Sequence, residues 1–281
     1  MKIIFIADVF VEDGILGGGE LNNDEFVNIL KSRNIEVLKV NSRFVNPEYI
    51  KQNIKSYFII GNFIQLSEES KLILISKANY SIYEHDHKYL NTRNPMYFGN
   101  FKAPSENIVN YEFYKHAKGI FGQSKFHCDI MKLNLDLKNI YNLSGNIWYQ
   151  ESLEFMKQIS EKKKNDYYSI LQSNIPHKNT ADAMRYCRYK EYPFKLIESS
   201  DYYDFLRKLG ENKYFVFFPK TPETLSRVVC EARMMGVSVI SNKTIGAVKE
   251  EWFEKKGIDL IEYMVKRREE IPNLILDVIT K

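Results

Sequence analysis

Glu223 and Glu231 stand eight residues apart in the segment Pro222-Glu223-Thr224-Leu225-Ser226-Arg227-Val228-Val229-Cys230-Glu231, directly after the apolar run 214–218. If a helix starts after Pro222, that spacing corresponds to about 12 Å of rise and about 80° of net rotation, so both carboxylates look to one side. The N-terminus of such a helix offers free N–H groups and the positive end of the macrodipole, a setting suited to a diphosphate. One ligand could then touch both carboxylates and the helix end. The blander alternative makes Glu223 a first-turn dipole partner and Glu231 a surface residue, and spacing alone leaves both open.

Three further segments carry side chains or backbone able to do chemistry. Gly17-Gly18-Gly19-Glu20 follows the first apolar run, where missing side chains let backbone approach a ligand or simply make a flexible turn. Tyr83-Glu84-His85-Asp86-His87 packs two histidines around an aspartate, which reads as a polar contact site or as a partial metal-ligand set. No other His or Cys cluster completes a tetrahedral site, so no metal is expected. Lys178 lies in Leu171-Gln172-Ser173-Asn174-Ile175-Pro176-His177-Lys178-Asn179 at the start of a helical pattern, where a lone cation is either a ligand for an anion or merely solvated.

These residues need a scaffold, and the hydrophobic pattern supplies one. Short apolar runs at 3–7, 37–40, 58–60, 81–83 and 119–122 read as strands buried on both faces, alternating with helices at 20–33, 67–77, 105–117 and 124–133. Ser67, Ser105 and Ser124 are suitable N-caps for the last three. After a charged stretch at 158–166, strands are expected at 168–171, 194–197, 214–218, 237–241 and 258–261, with helices near 179–189, 201–209, 223–235 and 247–255 and a last one at 262–280. The alternation predicts an α/β chain of two Rossmann-like domains with parallel sheets facing a central cleft, residues 1–155 and 156–281. In such sheets ligands bind beyond the carboxyl ends of the strands, which is where the loops after Ala7, Tyr83, Leu171 and Phe218 lie.

The chain has 281 residues, about two domains at roughly 150 residues each. Lys plus Arg number 40 against 36 Asp plus Glu, a net charge of +4, too small to argue for nucleic acid by itself. Cys128, Cys187 and Cys230 are odd in number and far apart, which predicts reduced thiols and a cytoplasmic protein, in a host's cytoplasm if phage-encoded. No apolar stretch is long enough for a signal-peptide core or a membrane span. Residues 14–19, Gly-Ile-Leu-Gly-Gly-Gly, lack the Gly-x-Gly-x-x-Gly spacing, which argues against a dinucleotide oxidoreductase.

Glu-x7-Glu followed by Ala232-x-x-x-Gly236 and then Gly246-Ala247-Val248-Lys249-Glu250 resembles the C-terminal domain of retaining GT-B glycosyltransferases of the family-4-like group, here unusually compact. The resemblance implies that Glu223 meets the donor sugar, that Glu231 meets the ribose hydroxyls, and that the amides of Thr224, Leu225 and Ser226 lie near the diphosphate. It implies the same of Gly17, Gly18 and Gly19 for donor phosphates or acceptor, and a sugar contact for His85 and Asp86. Lys178 matches the family's diphosphate cation, whereas Ser173 stands where an Arg is customary. Lys220 is then a candidate helper. The expected activity is metal-independent transfer from a nucleotide sugar, UDP-linked or another, to a hydroxyl of a saccharide or lipid-linked saccharide, without a further cofactor. One alternative acceptor is a hydroxymethylated base in DNA, met by Lys162, Lys163 and Lys164 and by Arg185, Arg188 and Lys190 interleaved with Tyr186 and Tyr189, charges that otherwise read as solvated helix faces. Another reading is a noncatalytic nucleotide-sugar-binding protein.

Overall fold

The computed structural model describes residues 1–14 and 17–281. It divides into two compact units, Met1–Ile147 with Glu269–Lys281, and Trp148–Arg268. The first carries strands β1 (Lys2–Ala7), β2 (Glu36–Asn41), β3 (Tyr57–Ile60), β4 (Asn79–Tyr83), β5 (Ile120–Gly122) and β6 (Ile140–Asn142). Its helices are α1 (Gly18–Ser32), α2 (Pro47–Gln52), α3 (Glu68–Lys77), α4 (Tyr111–Lys115) and α5 (Lys125–Leu135). The strands form one parallel sheet in the order β2-β1-β3-β4-β5-β6. Alternate residues of β1 feed opposite cores, Ile4 and Ile6 on one face and Ile3 and Phe5 on the other, so both faces are apolar and both are covered.

The second unit carries α6 (Gln150–Ser160), β7 (Asn165–Leu171), α7 (Thr180–Tyr189), β8 (Phe194–Ile197), α8 (Tyr202–Gly210), β9 (Asn212–Phe217), α9 (Arg227–Met234) and β10 (Ser238–Ser241). Its parallel sheet runs β10-β9-β7-β8. The closing helix α10 (Ile258–Thr280) places Leu260, Ile261 and Met264 in the second unit's core and Ile271, Ile275, Val278 and Ile279 in the first unit's. Each sheet changes direction of strand addition once, between β1 and β3 and between β7 and β9, and these are the switch points beside which open α/β sheets hold ligands.

Several elements differ from the sequence reading. Residues 258–261 are helical, because Leu260, Ile261 and Met264 recur at helix spacing and bury against the second core. The helix expected over 105–117 shrinks to α4, since Asn110 takes a left-handed φ of 57° and breaks it; Ser105 opens only a 3-10 turn, while Ser67 and Ser124 do cap α3 and α5. The helix expected at 247–255 is two 3-10 turns, Gly246–Lys249 and Glu251–Glu254. The charged stretch at 158–166 joins α6 to β7 within the second unit, tied by Lys164 Nζ to the carbonyls of Ile159 (2.7 Å) and Gly210 (2.6 Å). The units therefore part at 147/148, not at 155/156, and the last residues return to the first unit.

Candidate functional site

Three loops meet at the carboxyl end of the second sheet. The loop after β7 ends in the 3-10 turn Pro176–Lys178 and in Asn179, whose φ of 59° is left-handed. Asn179 Nδ2 donates to Phe218 O (2.8 Å), and the Lys220 amide donates to His177 O (2.8 Å), so the β7 and β9 loops are laced together. Ser173 shapes its own loop: its hydroxyl accepts from the Ile175 amide (3.2 Å), and its amide donates to Thr180 Oγ1 (3.2 Å). The β9 loop is joined in turn to the loop after β10. Glu223 N donates to Thr244 O (2.9 Å), Gly246 N to Glu223 O (2.8 Å) and Ala247 N to Leu225 O (2.9 Å).

This lacing places Lys178 Nζ 2.8 Å from Glu223 Oε1, with the two side chains 26% and 15% exposed. Residues separated by 45 positions thus form one ion pair at the β7/β9 switch point. Lys220, the candidate helper, is exposed.

The helix geometry inferred from the Glu-x7-Glu spacing does not apply. Helix α9 begins at Arg227, and Glu223 lies outside it in a bridge with Ile245, so a helical rise and rotation cannot be drawn from one carboxylate to the other. The reason is local: pairing with the β10 loop holds 223–225 extended, and Ser226 turns the chain with a φ of 75°. Thr224, Leu225 and Ser226 are buried in that turn. Ser226 makes no side-chain cap, its buried Oγ has no hydrogen-bond partner, and no acidic residue sits in the first turn of α9. The helix end therefore keeps its positive dipole unopposed by a carboxylate in its first turn.

Glu231 is 3% exposed and far from a surface residue. Its Oε1 accepts from Trp148 Nε1 (3.0 Å), Tyr202 OH (2.6 Å) and Arg227 Nε (3.0 Å). The Arg227 guanidinium lies over the Trp148 ring, 4.6 Å from its centroid. Burial, with Glu231 alongside, drives the Tyr202 hydroxyl's pKa far above its ordinary value. Arg227 was readable, since it stands four residues before Glu231 on one helix. Trp148 and Tyr202 carry no sequence signal; they arrive from α8 and from the residues before α6.

In the first unit the β1/β3 switch point is built differently. The Asp8 carboxylate accepts from Ser42 Oγ and from the amides of Ile64 (2.9 Å) and Gln65 (3.1 Å), binding the loops after β1, β2 and β3. Gly17 is the N-cap of α1 and Gly18 its first residue. A Cβ on Gly17 would collide with the Glu20 carboxylate, and one on Gly19 would rest 3.6 Å from His85 Cγ. The Glu20 carboxyl is held above its ordinary pKa by burial, with Asp8 adding to the effect.

His85 is held from both sides. Its Nε2 lies 2.6 Å from Asn23 Oδ1, and Gln123 Nε2 lies 2.6 Å from its Nδ1, which fits one neutral tautomer with the proton on Nε2. Burial, reinforced by the Lys88 cation, lowers its pKa to about 3. Burial likewise lowers His87 to about 4. Asp86 pairs with Arg93 and Lys88; burial opposes its charge, but those two cations hold its carboxyl well below the usual range. Glu84 and Lys88 form a fully buried pair, joined by Tyr114 OH. Among the described residues no group of three or more His, Cys, Asp or Glu side chains is placed to hold a metal ion. The sequence singled out His85 and Asp86 but missed Asn23, Gln123 and Arg93, whose relation to them is purely spatial.

The Arg185, Arg188 and Tyr189 face of α7 is only partly a platform. Arg185 is paired with Asp182, and Tyr186 packs edge-on against Phe218 at 5.3 Å, leaving Tyr189 at 82% exposure.

No protein-family model matches the chain. Among curated proteins, the iron-sulfur cluster assembly protein SufD of Plasmodium berghei (strain Anka) is 25% identical over 193 residues, 59% of this chain. The chain spans 14% of that protein's length. Solved structures align over the whole chain. Anabaena Alr3699/HepE in complex with UDP and glucose has a TM-score of 0.58 at 12% identity, covering 100% of both chains. An alpha-glucosyltransferase in complex with UDP and a 13-mer DNA containing an HMU base has a TM-score of 0.52 at 13% identity, covering 100% of this chain and 99% of that one. A glycosyltransferase from Rickettsia africae has a TM-score of 0.51 at 13% identity, covering 99% of this chain and 93% of that one. The chain has a GT-B-like fold of two Rossmann-like units. No described helix is long and apolar enough to cross a membrane.

Proposed function

We propose that this protein is a retaining, metal-independent glycosyltransferase that uses a nucleotide sugar, with UDP-glucose the first donor to test. The observation that carries the reading is the meeting of Lys178 and Glu223 at the β7/β9 switch point, in the loop that leads into the uncapped end of α9. In this reading Lys178 and the leading amides of α9 receive the diphosphate, Glu223 the sugar hydroxyls and Glu231 the ribose. The second unit is then the donor side and the first unit the acceptor side, with His85 and Asp86 contacting the sugar and Gly17, Gly18 and Gly19 meeting the donor phosphates or the acceptor. Ser173 contributes loop shape in place of a second cation, which makes Lys178 the main side-chain charge on the leaving group.

The reaction breaks the anomeric carbon–phosphate oxygen bond and forms a bond from that carbon to the acceptor oxygen on the same face. The acceptor proton goes to the departing phosphate. His85 supports this route, because both its ring nitrogens are engaged and its neutral tautomer has no open site for a proton. The acceptor in this reading is a hydroxyl of a saccharide or lipid-linked saccharide in the cytoplasm, where cysteines that form no disulfide among the described residues are at home. The DNA-bound neighbour supports a second acceptor, a hydroxymethylated base; failure to bind duplex DNA even at low salt removes it.

The test is a panel of nucleotide sugars scored for release of the nucleoside diphosphate, with and without chelator. Lys178→Ala is expected to lower turnover by about 10²- to 10³-fold while leaving the melting curve in place. Nucleotide binding without turnover on any donor would leave a noncatalytic binding protein instead.

A further inference from the structure

Lys178 and Glu223 are assigned to different parts of one ligand, yet they are bonded to each other at 2.8 Å. A lysine ammonium is a compact charge, and one held against a carboxylate must be released from it before it can serve a phosphate fully. The pair is also exchangeable. At 26% and 15% exposure the pair is not sealed from solvent, and Glu223 is tied to the β10 loop through its backbone, so its carboxylate can change partners without breaking that tie.

We infer that Glu223 is an intramolecular competitor of the diphosphate for Lys178. This rests on the donor-site reading above and gives Glu223 a second task. When a donor enters, its diphosphate takes Lys178 and frees the Glu223 carboxylate to accept from the sugar hydroxyls. Once the sugar has left, that carboxylate has no hydroxyl to hold, returns to Lys178 and drives out the nucleoside diphosphate. No bond is made or broken in the exchange; one ion pair replaces another. With Ser173 rather than a cation in the β7 loop, the competition falls on Lys178.

The competition makes a prediction of unusual sign. Removing a residue from a binding site normally weakens binding, but Glu223→Gln is expected to bind UDP and inorganic pyrophosphate about three- to tenfold more tightly than wild type while losing transfer. Because deleting any nearby negative charge favours an anion, the decisive measurement is a double-mutant cycle by calorimetry. On a Lys178→Gln background the gain should vanish, and Glu223→Asp, which keeps the charge but shortens the reach to Lys178, should keep part of it. A Glu223→Gln protein that binds both probes no tighter than wild type overturns the inference, as does a gain that persists without Lys178. If neither UDP nor pyrophosphate binds wild type or any variant, the donor-site reading itself falls and takes this inference with it.

Discussion

The two switch points are made of similar residue types and behave as opposites. In the first unit three candidate groups are held by several partners each: Asp8 by a hydroxyl and two amides, His85 by two amide side chains, Asp86 by Arg93 and Lys88. In the second unit the central pair, Lys178 with Glu223, is a single contact whose side chains are 26% and 15% exposed. A saturated network fixes shape at the cost of exchange, while a sparse one leaves groups able to change partners when a ligand arrives. On the proposed donor-site reading, the first region keeps shape and the second exchanges charge.

The sharpest way to break this contrast is to make one substitution in both places. Lys88→Met strands Glu84 in a fully buried site and is expected to cost about 3–5 kcal/mol of unfolding free energy. Lys178→Met removes a partly solvated pair and should stay within about 1 kcal/mol. Urea denaturation of both variants reads the comparison, and equal losses would erase it.

Acid should separate the units next. His87, held near 4 by burial against an unfolded value of about 6.5, binds its proton more readily unfolded, so its contribution is complete above 6.5 and is lost as pH falls. The slope is about 1.4 kcal/mol per pH unit for one such histidine. Glu84 and Glu20, whose carboxyls burial holds up, titrate with the opposite sign. The informative quantity is therefore the difference between wild type and His87→Gln, expected to be one proton's slope between pH 6.5 and 4.5. Hydrogen exchange should place it in the first unit, since His177 of the second is exposed. Parallel pH profiles would show that His87 is not held neutral.

The smallest effect distinguishes two left-handed residues. Ser226→Gly should stabilise by about 1 kcal/mol, relieving a φ of 75° and an orphan hydroxyl. Asn110→Gly in the first unit should destabilise, because Asn110 donates to Lys88 O at 2.9 Å and accepts from Lys71 Nζ at 2.8 Å. Thermal melts of the pair decide whether the second region holds more unrelieved strain.

The apolar runs alone determined that this is an α/β chain with two parallel sheets, because strands buried on both faces have few other ways to cover themselves. The sequence also singled out Glu223 and Glu231 by their spacing, His85 and Asp86 by their place after a strand, and Lys178 by resemblance to a family motif. Tertiary structure alone decided what those residues touch. Periodicity cannot tell that pairing with the β10 loop keeps Glu223 out of α9, because that competition is between a local helix and a bridge to Ile245. Nor can it show that Trp148 and Tyr202 meet Glu231, or that Asn23 and Gln123 fix the tautomer of His85, contacts that span from 29 to 83 residues of chain. Helical and strand patterns record which faces are apolar; hydrogen bonds between loops depend on where the packed elements end.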